Sequence, residues 1–378
     1  IIPRVEPDLI HCNDWMTGLI PAAARRLNIP CLVTVHNIHT KELTLAQIED
    51  SGVDAAEFWM HLYFDCPPYN YEAARERQSV DLLCSAIFAA HYINTVSPTF
   101  LEEVADGRHN FIPANVRHEM TQKKLAGCAV GILNSPDPSY DPRRDRALEP
   151  TYGPDDAGPA KGANKRSLQR RLGLVEDGDA PLFFWPSRLD PIQKGPELLS
   201  AILYHVVSRY WVEGLQVVFV ANGEYQRHFR DIVRFHGLEQ RVAVCDFEEN
   251  LSRLSYAAAD FMLMPSRFEP CGLPQMIGAI YGALPIVHDT GGLRDTVTHL
   301  DLERGTGNGF VFETYDAGGL GWAIDAAMGF YALPEAVRTA HVRRVMHEGR
   351  ARFNHRVTAQ SYFDIYEAML NRPLINRY

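Results

Sequence analysis

Short apolar runs alternate with helical segments along most of the chain, and this alternation limits the fold more than any other feature. The run Cys31–Val35 (CLVTV) is typical, because it is too apolar for a strand with one face in water. Before residue 134 the pattern predicts helices at 19–27 and 81–90 and strands at 8–11, 31–35, 92–96 and 129–133. Strands separated by helices predict a parallel sheet that is covered on both faces.

A stretch rich in proline, glycine and charge, residues 137–161, interrupts this pattern. The alternation then restarts, with only helical segments after residue 311 and with strands predicted at 182–185, 216–221, 242–245, 261–264 and 284–287. We therefore predict an α/β protein with two doubly wound, Rossmann-like domains that face a cleft. The expected boundaries are residues 1–140 for the first domain, 141–163 for a linker and 164–378 for the second domain.

The composition excludes several classes of function. A net charge of −10 over 378 residues argues against nucleic acid or a membrane as a partner, and no apolar run approaches the ~20 residues of a membrane span. The seven cysteines include no C-x-x-C pair, and no Cys/His cluster is present, so no metal site is predicted. Such thiols are typical of a reduced protein, which predicts a cytoplasmic location.

The segment RFEPCGL, residues 267–273, follows a predicted strand and precedes a helical segment of small residues. A short loop that ends in glycine before a helix offers N–H groups without partners, and such groups bind anions. A carboxylate here, Glu269, indicates contact with a neutral group such as a sugar hydroxyl. The local pattern leaves a structural alternative open, in which Glu269 only stabilises the positive end of the helix dipole.

Two further loops place charged or glycine residues directly after strands. Arg188 and Lys194 precede a helix that starts near residue 196, a placement suited to a diphosphate. Gly291 and Gly292 either bring N–H groups to a phosphate or form a tight bend. For the two cations, the structural alternative is a solvated basic loop. Neither G-x-G-x-x-G nor G-x-x-x-x-G-K-[ST] is present, so a dehydrogenase and a nucleotide hydrolase lose their best support.

Short polar residues also follow three strands of the first half. They are Asp14 beside Trp15, His36 beside Asn37, and Asn134. Together these residues predict a surface that binds a polyol. Taken singly, each has a structural explanation, with Asp14 as the cap of the following helix and His36 as part of a turn.

As an ordered set, these loops resemble those of bacterial glycogen synthases and plant starch synthases. The resemblance extends from about residue 7 to residue 370, and its most specific part is 265–273 followed by TGGLRDT at 290–296. It implies a GT-B fold, with an acceptor-side domain first and a nucleotide-sugar domain second. It further implies retaining transfer of glucose from ADP-glucose to an α-1,4-glucan such as glycogen, without a metal or a cofactor.

The resemblance also implies roles for individual residues. Arg188 and Lys194 correspond to a clamp on the donor diphosphate, and Glu269 to the group that holds the glucose hydroxyls. With His36 these three form the predicted catalytic set. Phe247 corresponds to an aromatic residue that packs on adenine. The other implied contacts are Asn37, Asn134, Cys271, Gly272, Leu273, Thr290, Gly291 and Gly292 for the donor, and Asp14 and Trp15 on the acceptor side.

Some positions depart from the family pattern. The family carries a Lys-x-Gly-Gly-Leu loop near its N-terminus that is absent here, so we expect the first domain to be incomplete in this chain by roughly one hundred residues. Arg188 and Lys194 are six residues apart where five is common. Other substitutions are Asn13 and Met16 beside Asp14-Trp15, Ser135-Pro136 after Asn134, Pro274 for a threonine, and Ile277 where related retaining transferases place a second glutamate.

These departures leave two alternatives open. One is a related glycosyltransferase that uses another nucleotide sugar or acceptor. The other is a catalytically weak homologue that binds glucan and has a regulatory role.

Overall fold

The computed structural model describes residues 2–374, which form two compact units. The first unit contains the chain up to Leu133 and the segment from Thr358 onward, and the second contains Asn134–Val357. The predicted second domain ran from 164 to 378, so this division differs from it at both ends. None of the helices within residues 2–374 is long and apolar enough to cross a bilayer.

The first unit is built on a parallel sheet. In chain order its strands are β1 (Ile10–Asn13), β2 (Cys31–Val35), β3 (Glu42–Thr44), β4 (Ser79–Asp81), β5 (Tyr92–Thr95) and β6 (Ala129–Gly131). The main sheet has the order β1-β2-β5-β6, and β3 pairs with β4 as a separate antiparallel ribbon. The four strands of the main sheet confirm the predicted ones, whereas the sequence pattern missed the ribbon.

Helices pack around this sheet, and all five residues of β2 are buried. They are α1 (Ile2–Val5), α2 (Ile20–Arg25), α3 (Leu45–Asp50), α4 (Tyr71–Arg75), α5 (Leu82–Ala89), α6 (Pro98–Ala105) and α7 (Ala114–Leu125). The helices α2, α5, α6 and α7 lie in the connections between strands of the main sheet, as parallel strands require.

The C-terminal part of the chain returns to the first unit for a specific reason. The last helix, residues 355–370, packs Ile365 against Leu32 of β2. Two of its tyrosines join a polar network that includes His11, whose Nδ1 lies 2.7 Å from the hydroxyl of Tyr366. Asn94 donates to the hydroxyl of Tyr362 over 3.2 Å. The apolar contact and the satisfied polar groups together bind this helix to β1, β2 and β5.

The second unit has a six-stranded, fully parallel sheet. Its strands are β7 (Leu182–Trp185), β8 (Gln216–Val220), β9 (Val242–Cys245), β10 (Phe261–Met264), β11 (Leu284–His288) and β12 (Phe310–Phe312). Their order is β12-β11-β10-β7-β8-β9. The chain therefore builds the sheet outward from β7 in one direction, returns to β10 beside it, and continues in the other direction. Ligands of such sheets bind at this reversal, beyond the carboxyl ends of the two central strands.

The helices of the second unit cover both faces of this sheet. They are α8 (Ala157–Leu172), α9 (Pro196–Arg209), α10 (Tyr225–His236), α11 (Glu249–Ala258), α12 (Pro274–Tyr281), α13 (Gly291–Thr296), α14 (Ala317–Tyr331) and α15 (Glu335–Arg352), and α16 (His355–Leu370) then enters the first unit. Five of the strands confirm the predicted positions. The sixth, β12, is only three residues long and was not recognised.

The predicted linker 141–163 is partly helical, because α8 begins at Ala157. Lys161 on this helix is buried, and its Nζ donates to the carbonyl oxygens of Ala257, Ala259 and Tyr281 at 2.9, 2.8 and 3.2 Å. Burial lowers the pKa of Lys161 to about 7, with Asp260 acting in the opposite direction. The charged stretch therefore folds onto the second unit at the amino end of its sheet.

Lys161 makes stability depend on pH. In the unfolded chain its amine keeps the ordinary pKa of 10.5, so between pH 7 and pH 9 it loses its proton only in the folded state. The free energy of unfolding should then rise with pH, by at most ~1.4 kcal/mol per pH unit from this group. Urea unfolding at pH 7, 8 and 9 should show this rise in the native chain, and Lys161→Met should lack it. Parallel pH profiles for the two proteins would contradict the assignment.

Candidate active site

The loops after β7 and β10 meet at the reversal of strand order in the second unit. The backbone N–H of Arg267 donates to the carbonyl of Gln193 over 2.8 Å and joins the two loops directly. Gly195 has a φ of +71°, and a Cβ there would lie 2.1 Å from the carbonyl oxygen of Pro265. Only glycine allows this close approach, so the two loops form one rigid surface.

An ion pair connects the same two loops. The Nζ of Lys194 lies 2.5 Å from Oε2 of Glu269, and the hydroxyl of Ser266 donates to that oxygen over 3.1 Å. Both charged side chains are largely buried, with 12% and 6% exposed. Glu269 is thus held by a cation and a hydroxyl, rather than placed only for the dipole of α12. The second carboxylate oxygen and the remaining ammonium hydrogens are the groups left for a ligand.

Arg188 differs from Lys194 in its surroundings. Its side chain is exposed, and within residues 2–374 its guanidinium has no hydrogen-bond or ion-pair partner. The backbone around it is well anchored, since the N–H of Leu189 donates to the carbonyl of Asn222 over 2.9 Å. The indole of Trp185 donates to the carbonyl of Ser187 over 2.7 Å. The loop therefore presents an uncompensated cation on a fixed backbone.

Phe247 follows β9 and is 52% exposed. Its backbone N–H donates to Oδ1 of Asn222 over 2.9 Å. Asn222 therefore holds the loop of Arg188 through its carbonyl and the loop of Phe247 through its side chain. The only sequence signal for this positioning residue is weak, an Asn-Gly turn directly after a strand.

The glycine pair after β11 packs against the loop of Glu269. The N–H of Gly292 donates to the carbonyl of Glu269 over 2.8 Å. A Cβ at Gly291 would lie 2.1 Å from the Glu269 carbonyl oxygen, and one at Gly292 would lie 2.0 Å from that of Cys271. Thr290, which precedes them, is buried. Both positions require glycine for packing, because the backbones of the two loops touch and a side chain at either position would collide.

Cys271, Gly272 and Leu273 complete the loop after β10. Burial raises the pKa of the Cys271 thiol to about 12, so the sulfur is neutral at physiological pH. Asn134 contributes a backbone hydrogen bond to this thiol and belongs to the second unit. The expected first domain, residues 1–140, included Asn134, whereas in the structure the second unit begins at this residue.

The predicted residues of the first unit lie at the carboxyl ends of β1 and β2. Asp14 is buried with a φ of +53°, and its Oδ1 accepts the backbone N–H of His36 over 2.8 Å. It makes no capping hydrogen bond to the helical turn that follows. His36 Nε2 lies 2.9 Å from Oδ1 of Asn13, and Asn37 accepts the N–H of His39. Trp15 packs against the core of this unit. The carboxylate of Asp14 connects the two loops.

The surroundings of the two cations predict different costs on removal. Lys194→Met leaves the buried Glu269 carboxylate without its partner and should lower the free energy of unfolding by ~3–5 kcal/mol. Arg188→Ala removes an exposed side chain without a partner, so its effect on stability should stay within ~0.5 kcal/mol. Urea unfolding of both variants tests this difference. Equal stability losses would show that Lys194 and Glu269 are not paired in solution.

Comparisons with known proteins identify relatives of this chain. A family model described as the starch synthase catalytic domain matches residues 1–112, and one described as glycosyl transferases group 1 matches residues 180–329. The chain is 33% identical over 344 residues to the glycogen synthase of Bacillus subtilis, which covers 87% of this chain and 66% of that protein. It is 34% identical over 380 residues to the glycogen synthase of Nitrosospira multiformis, with 97% and 70% covered.

A solved structure is similar over nearly the whole chain. It is the catalytic domain of starch synthase IV from Arabidopsis thaliana bound to ADP and acarbose, with a TM-score of 0.81 and 28% identity. The match covers 98% of this chain and 75% of that one. The chain thus spans between about two thirds and three quarters of the length of these three relatives.

Proposed function

Because the chain belongs to the family of glycogen synthases and starch synthases, we propose that it elongates an α-1,4-glucan with glucose from ADP-glucose. The predicted GT-B fold is confirmed by the parallel sheets and by the similarity to the starch synthase structure. The observation that carries the proposal is the pairing of Lys194 with Glu269 at the reversal of strand order, with the exposed Arg188 on the same loop as Lys194. The Arabidopsis relative was solved with ADP, the product that such a donor would leave.

Arg188 and Lys194 serve the diphosphate in this proposal. The exposed guanidinium of Arg188 has five N–H donors in a planar fork, a geometry that matches phosphate oxygens. Lys194 can share its ammonium hydrogens between Glu269 and a phosphate. As the bond between glucose and phosphate breaks, negative charge grows on the departing ADP, and these fixed cations stabilise it. They do so without reorganisation because the surrounding backbone is already anchored.

Glu269 serves the glucose. A carboxylate held by Lys194 and Ser266 keeps acceptor capacity on its other oxygen and can bind sugar hydroxyls. Phe247 offers an exposed ring to the adenine. Asn134 and Thr290 supply short polar groups near the loop of Glu269. For His36, Asn37, Asp14 and Trp15 we propose contacts on the sugar and acceptor side. Their polar groups lie at strand ends, where ligands of such sheets bind.

The reaction follows from these groups. The 4-hydroxyl of the glucan end forms a bond to C1 of the donor glucose, and the bond from C1 to the diphosphate oxygen breaks with its electron pair. ADP leaves on the face where the acceptor enters, so the configuration is retained. The proton of the attacking hydroxyl passes to the departing phosphate on that face. Ile277 stands where related transferases place a second glutamate, and this route needs no second carboxylate.

One observation predicts weaker donor binding and keeps transfer from another nucleotide sugar as a second candidate. Pro274 is the first residue of α12 and has no N–H to offer a phosphate. A donor panel of ADP-, UDP- and GDP-glucose with glycogen decides between the donors. We also propose a cytoplasmic location, which the free state of all seven cysteines supports.

The direct test is incorporation of radiolabelled glucose from ADP-glucose into glycogen by the full-length protein. Label should appear in the polymer and be released by an enzyme specific for α-1,4 bonds. If the protein binds glycogen but transfers no label from any of these donors, the regulatory alternative replaces the synthase proposal.

Arg188→Ala should lower kcat by about 10²- to 10³-fold, because it removes one preorganised charge from the departing diphosphate. A matched control is Arg227→Ala, which removes a 93% exposed arginine of the same unit. Initial rates at saturating ADP-glucose, together with melting temperatures, test the prediction. Full activity of Arg188→Ala would assign this arginine to the solvated surface.

A further inference from the structure

Gln275 lies in the first turn of α12 and contacts the loop formed by residues 269–273, which we call the donor loop. Its side chain is 1% exposed. The amide nitrogen Nε2 lies 3.1 Å from the carbonyl oxygen of Cys271 and 2.8 Å from that of Gly272. It also lies 3.0 Å from Oγ1 of Thr296 in α13. One buried amide therefore holds two consecutive peptide groups of the loop.

Holding these carbonyls also orients two N–H groups. In a trans peptide the C=O and the N–H point to opposite sides of the chain. The carbonyl of Cys271 shares its peptide with the N–H of Gly272, and the carbonyl of Gly272 shares its peptide with the N–H of Leu273. Both N–H groups consequently point away from Gln275. Neither donates a hydrogen bond to any residue in the described range 2–374.

Thr296 extends the same contact to the glycine pair. Its hydroxyl donates to the carbonyl of Gly292 over 2.6 Å, and the N–H of Gly292 donates to the carbonyl of Glu269 over 2.8 Å. The Nε2 of Gln275 thus belongs to a connected set of hydrogen bonds that runs from the loop through Thr296 and Gly292 to the carbonyl of Glu269. The set matters more in this chain because the next residue along the loop, Pro274, has no N–H.

We propose that Gln275 is a positioning residue for donor recognition, which orients the N–H groups of Gly272 and Leu273 toward the terminal phosphate of a nucleoside diphosphate. This inference rests on the proposed function. The order of the strands indicates which phosphate of the nucleotide reaches the loop. Phe247 follows β9 and the loop follows β10, three strands away, which is about 14 Å. A nucleotide whose base packs on Phe247 reaches the loop only with the far end of its phosphate chain.

The test compares the binding of ADP and AMP to the full chain by calorimetry. Gln275→Met keeps the size of the side chain and removes both N–H donors. It should raise the Kd for ADP by about 10- to 100-fold, the effect of losing hydrogen bonds to a charged group, and leave the Kd for AMP unchanged. A merely structural role would weaken both nucleotides together.

The matched control is Gln169→Met. Gln169 is equally buried, and its amide donates to the carbonyl of Asp177 over 2.7 Å, but it lies on α8 beside the start of the sheet. This variant should bind both nucleotides as the native chain does. If Gln275→Met does not fold, Thr296→Val removes the hydroxyl that contacts both Gln275 and the Gly292 carbonyl, and it should show a smaller loss that is again confined to ADP.

Each outcome has a defined meaning. Selective loss of ADP affinity in the Gln275 or Thr296 variant supports the inference. Unchanged ADP affinity, or an equal loss for AMP, overturns it while the proposed function stands. A native chain that binds neither ADP nor UDP overturns the proposed function, and the inference with it.

Discussion

The reversal of strand order between β7 and β10 is the constraint on which the rest of the second unit depends. All six strands are parallel, so each connection crosses over on a helix, and the crossovers before and after the reversal run in opposite directions. The connections after β7 and β10 therefore leave in opposite directions, although the two loops themselves are in contact through the hydrogen bond from Arg267 to Gln193. Every predicted donor contact of this unit except Phe247 and Asn134 follows β7, β10 or β11.

The charged groups of this surface have different electrostatic roles. Lys194 and Glu269 neutralise one another where both are buried, and this pairing makes their burial tolerable. Arg188 stays exposed and uncompensated, so it is the cation that a diphosphate can recruit at the smallest desolvation cost. Hydrogen bonds of Asn222 and Gln275 then fix the backbone that carries these groups. Charge and position are thus supplied by different residues.

Much of the fold could be predicted, because buried strands of a parallel sheet leave a strong apolar signal. The runs at 31–35, 182–185, 242–245 and 261–264 became strands with those bounds. The ribbon of β3 and β4 and the strand β12 were missed, since each is three residues long and partly exposed. The charge and proline content of residues 141–163 indicated a linker, but it could not show that Lys161 finds three carbonyl acceptors in the interior.

The sequence by itself determined the fold class, the loops that carry the chemistry, and the residue types that a diphosphate and a sugar require. Local patterns suffice for these because they depend on neighbours along the chain. Only the tertiary structure decided that Lys194 is paired with Glu269 while Arg188 is not, and that Asn134 belongs to the second unit. It also returned the C-terminal helix to the first unit and placed the amide of Gln275 against the donor loop. These features depend on contacts between segments that are far apart in the chain, and local sequence patterns do not reveal such contacts.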